Sequence, residues 1–181
     1  MELICRHFRA AFVVRSVIIP VFVFLAFTGE GCTVTYSMSG ASISPDVKTI
    51  NVEYFENRAG LVQPGLSQYL TDELMDKCRA QTNLKFVNEA GDVSFEGEIS
   101  DYRNEPLTIS GDARAAMNRF TISVSVRFTN LVEPDFSFEQ TFTRYEDYDS
   151  AKELSQVEQE LTEKIIEQIV EDIFNRAFVN W

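Results

Sequence analysis

The chain has 181 residues, 45% of them hydrophobic and 24% charged, which suits one globular domain plus a targeting segment and excludes collagen, coiled coil and wholesale disorder. A formal charge of -12 argues against a general nucleic-acid binder, because neutralising phosphates takes Lys and Arg. The single histidine is His7 and the cysteines are Cys5, Cys32 and Cys78; with His7 and Cys5 in a leader that is removed, zinc sites, Cys–His pairs and Ser-His-Asp triads lack their parts.

Residues 1–15 carry Arg6, Arg9 and Arg15, and the uninterrupted apolar run VIIPVFVFLAF follows at 17–27. That run is too short for a membrane-spanning helix, which needs about 20 apolar residues. A positive start, a short apolar core and small residues before a break mark a signal peptide over residues 1–31. Gly29 and Gly31 stand just ahead of Cys32, the expected acceptor of a thioether-linked diacylglycerol and the new N-terminus. The usual lipid-attachment pattern has a large aliphatic residue where Gly29 stands, and Glu30 intervenes. The alternative, a plain signal peptide, leaves a lone free thiol in an oxidising compartment and is the weaker reading. A Cys32–Cys78 disulfide is disfavoured as well: Leu66, Leu70, Leu74 and Cys78 repeat every four residues, so Cys78 reads as a buried thiol on a helix face.

Residues 32–46 read as lipid anchor and tether, rich in Ser, Thr and Gly, and residues 47–181 as a single domain. Within it, 47–54 alternates, with Ile50, Val52 and Tyr54 on one face, and 57–65 is a turn region. Residues 64–80 read as a helix with Lys77 and Arg79 in its last turn. A short lead-in at 84–87 and a turn at 88–92 precede three alternating strands. The first places Val93, Phe95, Gly97 and Ile99 inward. The second places Phe120, Ile122, Val124, Val126 and Phe128 inward, and the third Phe136, Phe138 and Phe142. The first two are joined by a longer loop around 104–117. Residues 154–178 form a long helix with two apolar rows, Val157, Leu161, Ile165, Ile169 and Ile173 beside Ile166, Val170, Phe174 and Ala177. The fold class is α+β: two helices packed on one face of a mostly antiparallel four-stranded sheet.

No phosphate loop, EF-hand or cofactor motif is present. The acidic pairs Glu96/Glu98 and Asp147/Asp149 read as solvated carboxylates, whose ordinary acidity makes them poor general acids near neutrality. The expectation is that the protein is not an enzyme. Most of the 15 Phe are core; Tyr145, Tyr148 and Trp181 are the aromatics set apart, for an interface or for turn packing.

The stretches YSMSG at 36–40 behind Cys32, SPDVKTI at 44–50, LSQYLTDELMDK at 66–77, QTNL at 81–84, GDVSFEGEI at 91–99, NRFTISVSVRFTN at 118–130, FEQTFTRYEDY at 138–148 and IVEDIFNRAFVNW at 169–181 together resemble the LPS-assembly lipoprotein (LptE) family in its Bacteroidetes form. The resemblance implies a lipidated, palmitate-bearing lipoprotein of the outer membrane that faces the periplasm. It implies a place inside a large β-barrel partner, LptD, as plug and assembly aid in inserting lipopolysaccharide into the outer membrane. The alternative is a periplasm-facing lipoprotein of another envelope complex, binding protein or peptidoglycan. No family binding residue transfers to a position here. From the residues themselves, Arg103, Arg114, Arg119 and Arg127 are the candidate contacts to lipopolysaccharide phosphate or to the barrel wall, because a planar guanidinium meets a phosphate with two hydrogen bonds. Solvated ion pairs with Glu98, Asp101 and Glu105 are the competing reading.

Overall fold

A computed structural model describes residues 43–60, 63–107 and 117–179. Cys32, Arg114 and Trp181 lie outside the described residues, as do the leader and most of the tether.

The centre of the fold is β5 (Met117–Asn130), whose Phe120, Ile122, Val124, Val126 and Phe128 are essentially inaccessible to solvent. Antiparallel neighbours flank it, β4 (Val93–Leu107) on one side and β6 (Phe138–Asp149) on the other. Beyond β4 the sheet turns parallel. β1 (Thr49–Val52) and β2 (Glu56–Asn57) both run along the outer edge of β4, and β3 (Lys85–Phe86) lies outside β1. The order is β3-β1-β4-β5-β6, with β2 also on β4.

The sheet is therefore six-stranded and mixed, where the sequence pattern predicts four mostly antiparallel strands. The crossover from β1 through helix α1 (Leu66–Gln81) returns the chain parallel to itself, and β2 and β3 are too short to show a period. β4 runs on to Leu107, so residues 104–107 belong to a strand and not to the connecting loop. A bulge between Ile99 and Asp101 shifts its register and turns Tyr102 inward opposite Ile122. Two further expectations are corrected. Tyr54 is 56% exposed and the neighbouring Phe55 is buried in its stead. Phe136 sits in a 3-10 turn at Pro134–Phe136, exposed, outside the inward row of β6.

Gly97 explains how Phe55 gets in. It occupies an inward position of β4, and a Cβ there would come within 2.5 Å of the Phe55 ring and 2.3 Å of the Ser125 carbonyl. The Phe55 N–H donates to Thr71 Oγ1 at 3.2 Å, tying the β1–β2 link to α1. Asp92 ties the start of β1: its carboxylate accepts the Lys48 and Thr49 N–H groups at 2.8 Å each, which holds its pKa below the usual range.

α1 buries Leu66, Leu70, Leu74 and Cys78 as its spacing predicts, and burial pushes the Cys78 thiol up to about 12. It starts after Gly65, whose φ of 84° lies in the left-handed region. α2 (Leu154–Phe178) lays Leu161, Ile165, Ile166, Ile169, Val170, Ile173, Phe174, Ala177 and Phe178 on the sheet. Phe178 stacks edge-on against Phe95 and Phe128. The helices pack on each other and on the same sheet face, so the core is one layer between helices and sheet.

Candidate functional site

The helices cover one face of the sheet; among the described residues no helix packs on the other, where Thr121 and Ser123 at the centre are buried by their neighbours and the ends are more exposed. Along β5 it presents Arg119, Thr121, Ser123, Ser125 and Arg127. The register sets these against Glu105, Arg103, Asp101, Glu98 and Glu96 on β4, and against Asp147, Tyr145, Thr143, Thr141 and Glu139 on β6. Hydroxyls hold the middle: Ser123 and Thr143 share a hydrogen bond at 2.8 Å, and Ser125 and Thr141 one at 3.0 Å. Charged pairs hold the ends.

Arg119 makes a two-pronged bond to Asp147, Nε to Oδ1 at 2.7 Å and Nη2 to Oδ2 at 2.9 Å. Its guanidinium also lies 3.6 Å from the centre of the Tyr145 ring, which remains 49% exposed. The hydrogen bond to Arg119 lowers the Asp147 pKa, and the same bond raises that of Arg119. Arg103 reaches Asp101 at 2.5 Å and Glu105 at 3.6 Å. Opposite Thr121, it is the diagonal neighbour of Arg119, about 7–8 Å away between Cα atoms. Arg127 is on the same face, eight residues from Arg119 along β5, or roughly 27 Å at strand rise. It pairs with Glu139 at 3.2 Å and Glu96 at 3.7 Å.

The structure thus brings Arg103 and Arg119 together and leaves Arg127 at the far end. Each guanidinium already holds a carboxylate, so an incoming phosphate has to displace or share that partner. The half-exposed Arg119–Tyr145 stack is the part of the face that offers a cation and an apolar ring side by side. The Arg127 end carries a concavity of about 450 Å³ lined by Tyr54, Arg58, Glu96, Glu98, Arg127 and Glu139. Carboxylates outnumber guanidiniums there, and Glu98 is held by Arg58 at 3.2 Å.

Tyr148, paired with Tyr145 in the sequence reading, is instead buried, with its hydroxyl accepting from Asn104 at 2.8 Å and Asn118 at 3.3 Å. On the helix side, the Tyr102 hydroxyl donates to Glu158 and lies 3.2 Å from Gln63 Oε1, which also accepts from Thr162 at 3.2 Å. Burial, then the Glu158 bond, raises the Tyr102 pKa, so this group is a closed structural tie between β4, the chain before α1, and α2. Nothing in the linear sequence marks Asp147 as the partner of Arg119; only the β5–β6 register does.

A family model described as LptE, Lipopolysaccharide-assembly, matches residues 47–177. No curated protein matches the chain. Among solved structures it is similar to a minor lipoprotein from Acinetobacter baumannii, at 14% identity over 72% of this chain and 91% of that one, with a TM-score of 0.48. It is also similar to a hypothetical protein from Chlamydia trachomatis, at 8% identity over 74% and 99%, TM-score 0.49. A third likeness is to an uncharacterized lipoprotein B from Nitrosomonas europaea, at 18% identity over 71% and 80%, TM-score 0.45.

Proposed function

The chain belongs to the LptE lipopolysaccharide-assembly family, and on that premise we propose that it is the plug and assembly partner of an LptD-like outer-membrane β-barrel. Its role is in lipopolysaccharide assembly; the barrel partnership is what the family membership supports. The carrying observation is that the match spans residues 47–177, from just before β1 almost to the end of α2.

The fold supplies what a plug needs. One sheet face is sealed by helices, and the other is a rigid array of cross-strand pairs whose polar groups are already hydrogen-bonded. Such a face meets a polar lumen wall with little reorganisation, while a lipid phosphate has to share or displace the carboxylates that hold Arg103 and Arg119. In this reading the protein is not an enzyme, and residues 1–31 are removed. Cys32 carries the acyl chains and holds the domain at the outer membrane facing the periplasm. Two or more buried chains, at roughly 0.8 kcal/mol per CH₂, give lasting anchorage; among the described residues no helix is long and apolar enough to cross a membrane. Arg103 and Arg119, beside Tyr145, are the contacts for lipid phosphate or the barrel wall.

Capture of the tagged chain from detergent-solubilised membranes tests the proposal. Recovery of a large β-barrel in stoichiometric amount is the expected result. Recovery of a different envelope complex without a barrel overturns it. Intact mass of the captured protein should show acyl chains on an N-terminal Cys32; an unmodified chain starting elsewhere contradicts the anchor.

A further inference from the structure

The two edges of the sheet are built differently. One ends in β3, two residues long, and a short strand is a common way to blunt an edge. The other ends in β6, a straight strand of 12 residues, FEQTFTRYEDYD, whose register with β5 runs without a break from Phe138 to Asp149. It contains no Pro, Lys or Gly and no bulge; its guard is charge, carried by Glu139, Arg144, Glu146, Asp147 and Asp149, so the strand that pairs with it has to match those charges.

Which backbone groups it leaves open follows from the ladder. The Glu53 and Arg58 N–H groups donate to the carbonyls of Phe95 and Ile99 at 2.9 Å each, so those residues point their backbone away from β5. Alternation then turns Glu96 and Glu98 toward Arg127 and Ser125, and Val126 and Val124 toward Gln140 and Phe142. What remains on β6 is Glu139, Thr141, Thr143, Tyr145 and Asp147, whose N–H and C=O groups face outward. Among the described residues none of these groups has a partner.

We propose that this edge pairs with the β6 of a second copy of the chain, antiparallel, about a two-fold axis at Tyr145. The inference stands apart from the proposed function. Charge decides both the occupant and the register. With Tyr145 on the axis, Arg144 faces the partner's Glu146 and Glu146 faces the partner's Arg144. Phe142 faces the partner's Tyr148, and Thr143 faces the partner's Asp147. Arg144 and Glu146 are on the helix side of the sheet, where they already meet Asp172 (2.6 Å and 2.7 Å) and Gln168 (2.9 Å) of α2. The new pairs extend an existing polar row. They are also the non-hydrogen-bonded pairs of the new ladder, in which facing side chains come closest. An axis at Thr143 instead sets Glu139 against the partner's Asp147, like charges directly opposed. An axis at Thr141 shortens the ladder and leaves Arg144 facing the partner's Phe138. This edge matches itself.

The test uses the full chain purified from membranes in detergent. On the axis the two Tyr145 Cα atoms stand about 5.5 Å apart, within the span of a disulfide. Tyr145→Cys is therefore expected to oxidise to a covalent dimer of twice the parent mass, while the parent chain and Glu139→Cys do not. Thr143→Pro removes an outward N–H and, across β5–β6, only the side-chain bond from Thr143 to Ser123, so Tyr145→Cys/Thr143→Pro is expected to lose the cross-link in a chain that still folds. Thr143→Lys, an edge guard of a different kind, serves the same purpose if the proline variant does not fold. Three results overturn the proposal: no more dimer from Tyr145→Cys than from Glu139→Cys, a cross-link that survives in a folded edge variant, or a cross-link to another polypeptide. Barrel capture is read separately on the parent chain, so failure of the dimer and failure of the proposed function are distinguishable.

Discussion

The two faces of β5 are made by alternate residues of one strand and have opposite chemistry. Phe120, Ile122, Val124, Val126 and Phe128 point into the layer between sheet and helices and are essentially inaccessible. Arg119, Thr121, Ser123, Ser125 and Arg127 point the other way: Ser123 and Ser125 meet hydroxyls on β6, and Arg119 and Arg127 meet carboxylates on β6 and, for Arg127, on β4. The difference teaches where tolerance lies. The inner face is closely packed, so any change of volume or polarity is felt. The outer face has exchanged water for neighbours of similar polarity and contributes little to folding, which frees it for contact with something outside.

The sharpest way to break the comparison is to put outer-face chemistry on the inner face. Val124→Asp buries a charge with no partner and is expected to destabilise by about 4 kcal/mol or more, in effect unfolding the domain. Thermal or urea unfolding reads this, and a parent-like midpoint would mean that the buried face is misassigned. Gly97→Ala is the next most severe. Its methyl group meets backbone at Ser125 and the ring of Phe55, and should cost about 1–3 kcal/mol as Phe55 is displaced. The urea midpoint should fall with it; an unchanged midpoint would show that Phe55 does not sit on Gly97.

This split was legible in the sequence wherever a period ran long enough. The alternation of β5 and the double row of α2 identify their buried residues directly, and Leu66, Leu70, Leu74 and Cys78 do the same for α1. Where the period is short or broken, the pattern misleads. β2 and β3 have two residues each, too few to show alternation, so the parallel half of the sheet was invisible. The bulge after Ile99 reverses the phase of β4 and brings Tyr102 inside. Phe136 and Tyr54 follow the alternation on paper but lie outside the strands. The candidate site was legible as a set of arginines near one connection. Their partners were less so, because a carboxylate 28 positions away, Asp147 for Arg119, becomes a neighbour only through the register.

Smaller effects sharpen the outer-face half. Asp147→Asn removes the carboxylate that Arg119 holds. The folded pKa of Asp147 lies below its ordinary value, so the pair stabilises above the ordinary carboxylate range and the contribution fades as pH falls through the folded pKa. The parent and Asp147→Asn should therefore differ modestly at pH 7 and converge toward pH 2. A gap that persists at low pH would put the effect elsewhere. Ser125→Ala, which loses one exposed hydroxyl pair, should change stability by no more than about 0.5 kcal/mol; a loss above 1 kcal/mol would make the outer face a structural element in its own right. The two free-energy differences are read by the same urea titration.

The most direct test of the account is whether the outer face holds lipopolysaccharide. Binding of lipopolysaccharide to the unlipidated domain is measured for the parent and for Arg103→Glu/Arg119→Glu, with folding of the variant checked by its thermal midpoint. Each lost charge-assisted hydrogen bond should cost about 1.5–3 kcal/mol. The account therefore predicts binding weakened well over tenfold in a domain that melts like the parent. Unchanged binding in the folded variant would contradict it and remove this end of the sheet face from lipopolysaccharide contact.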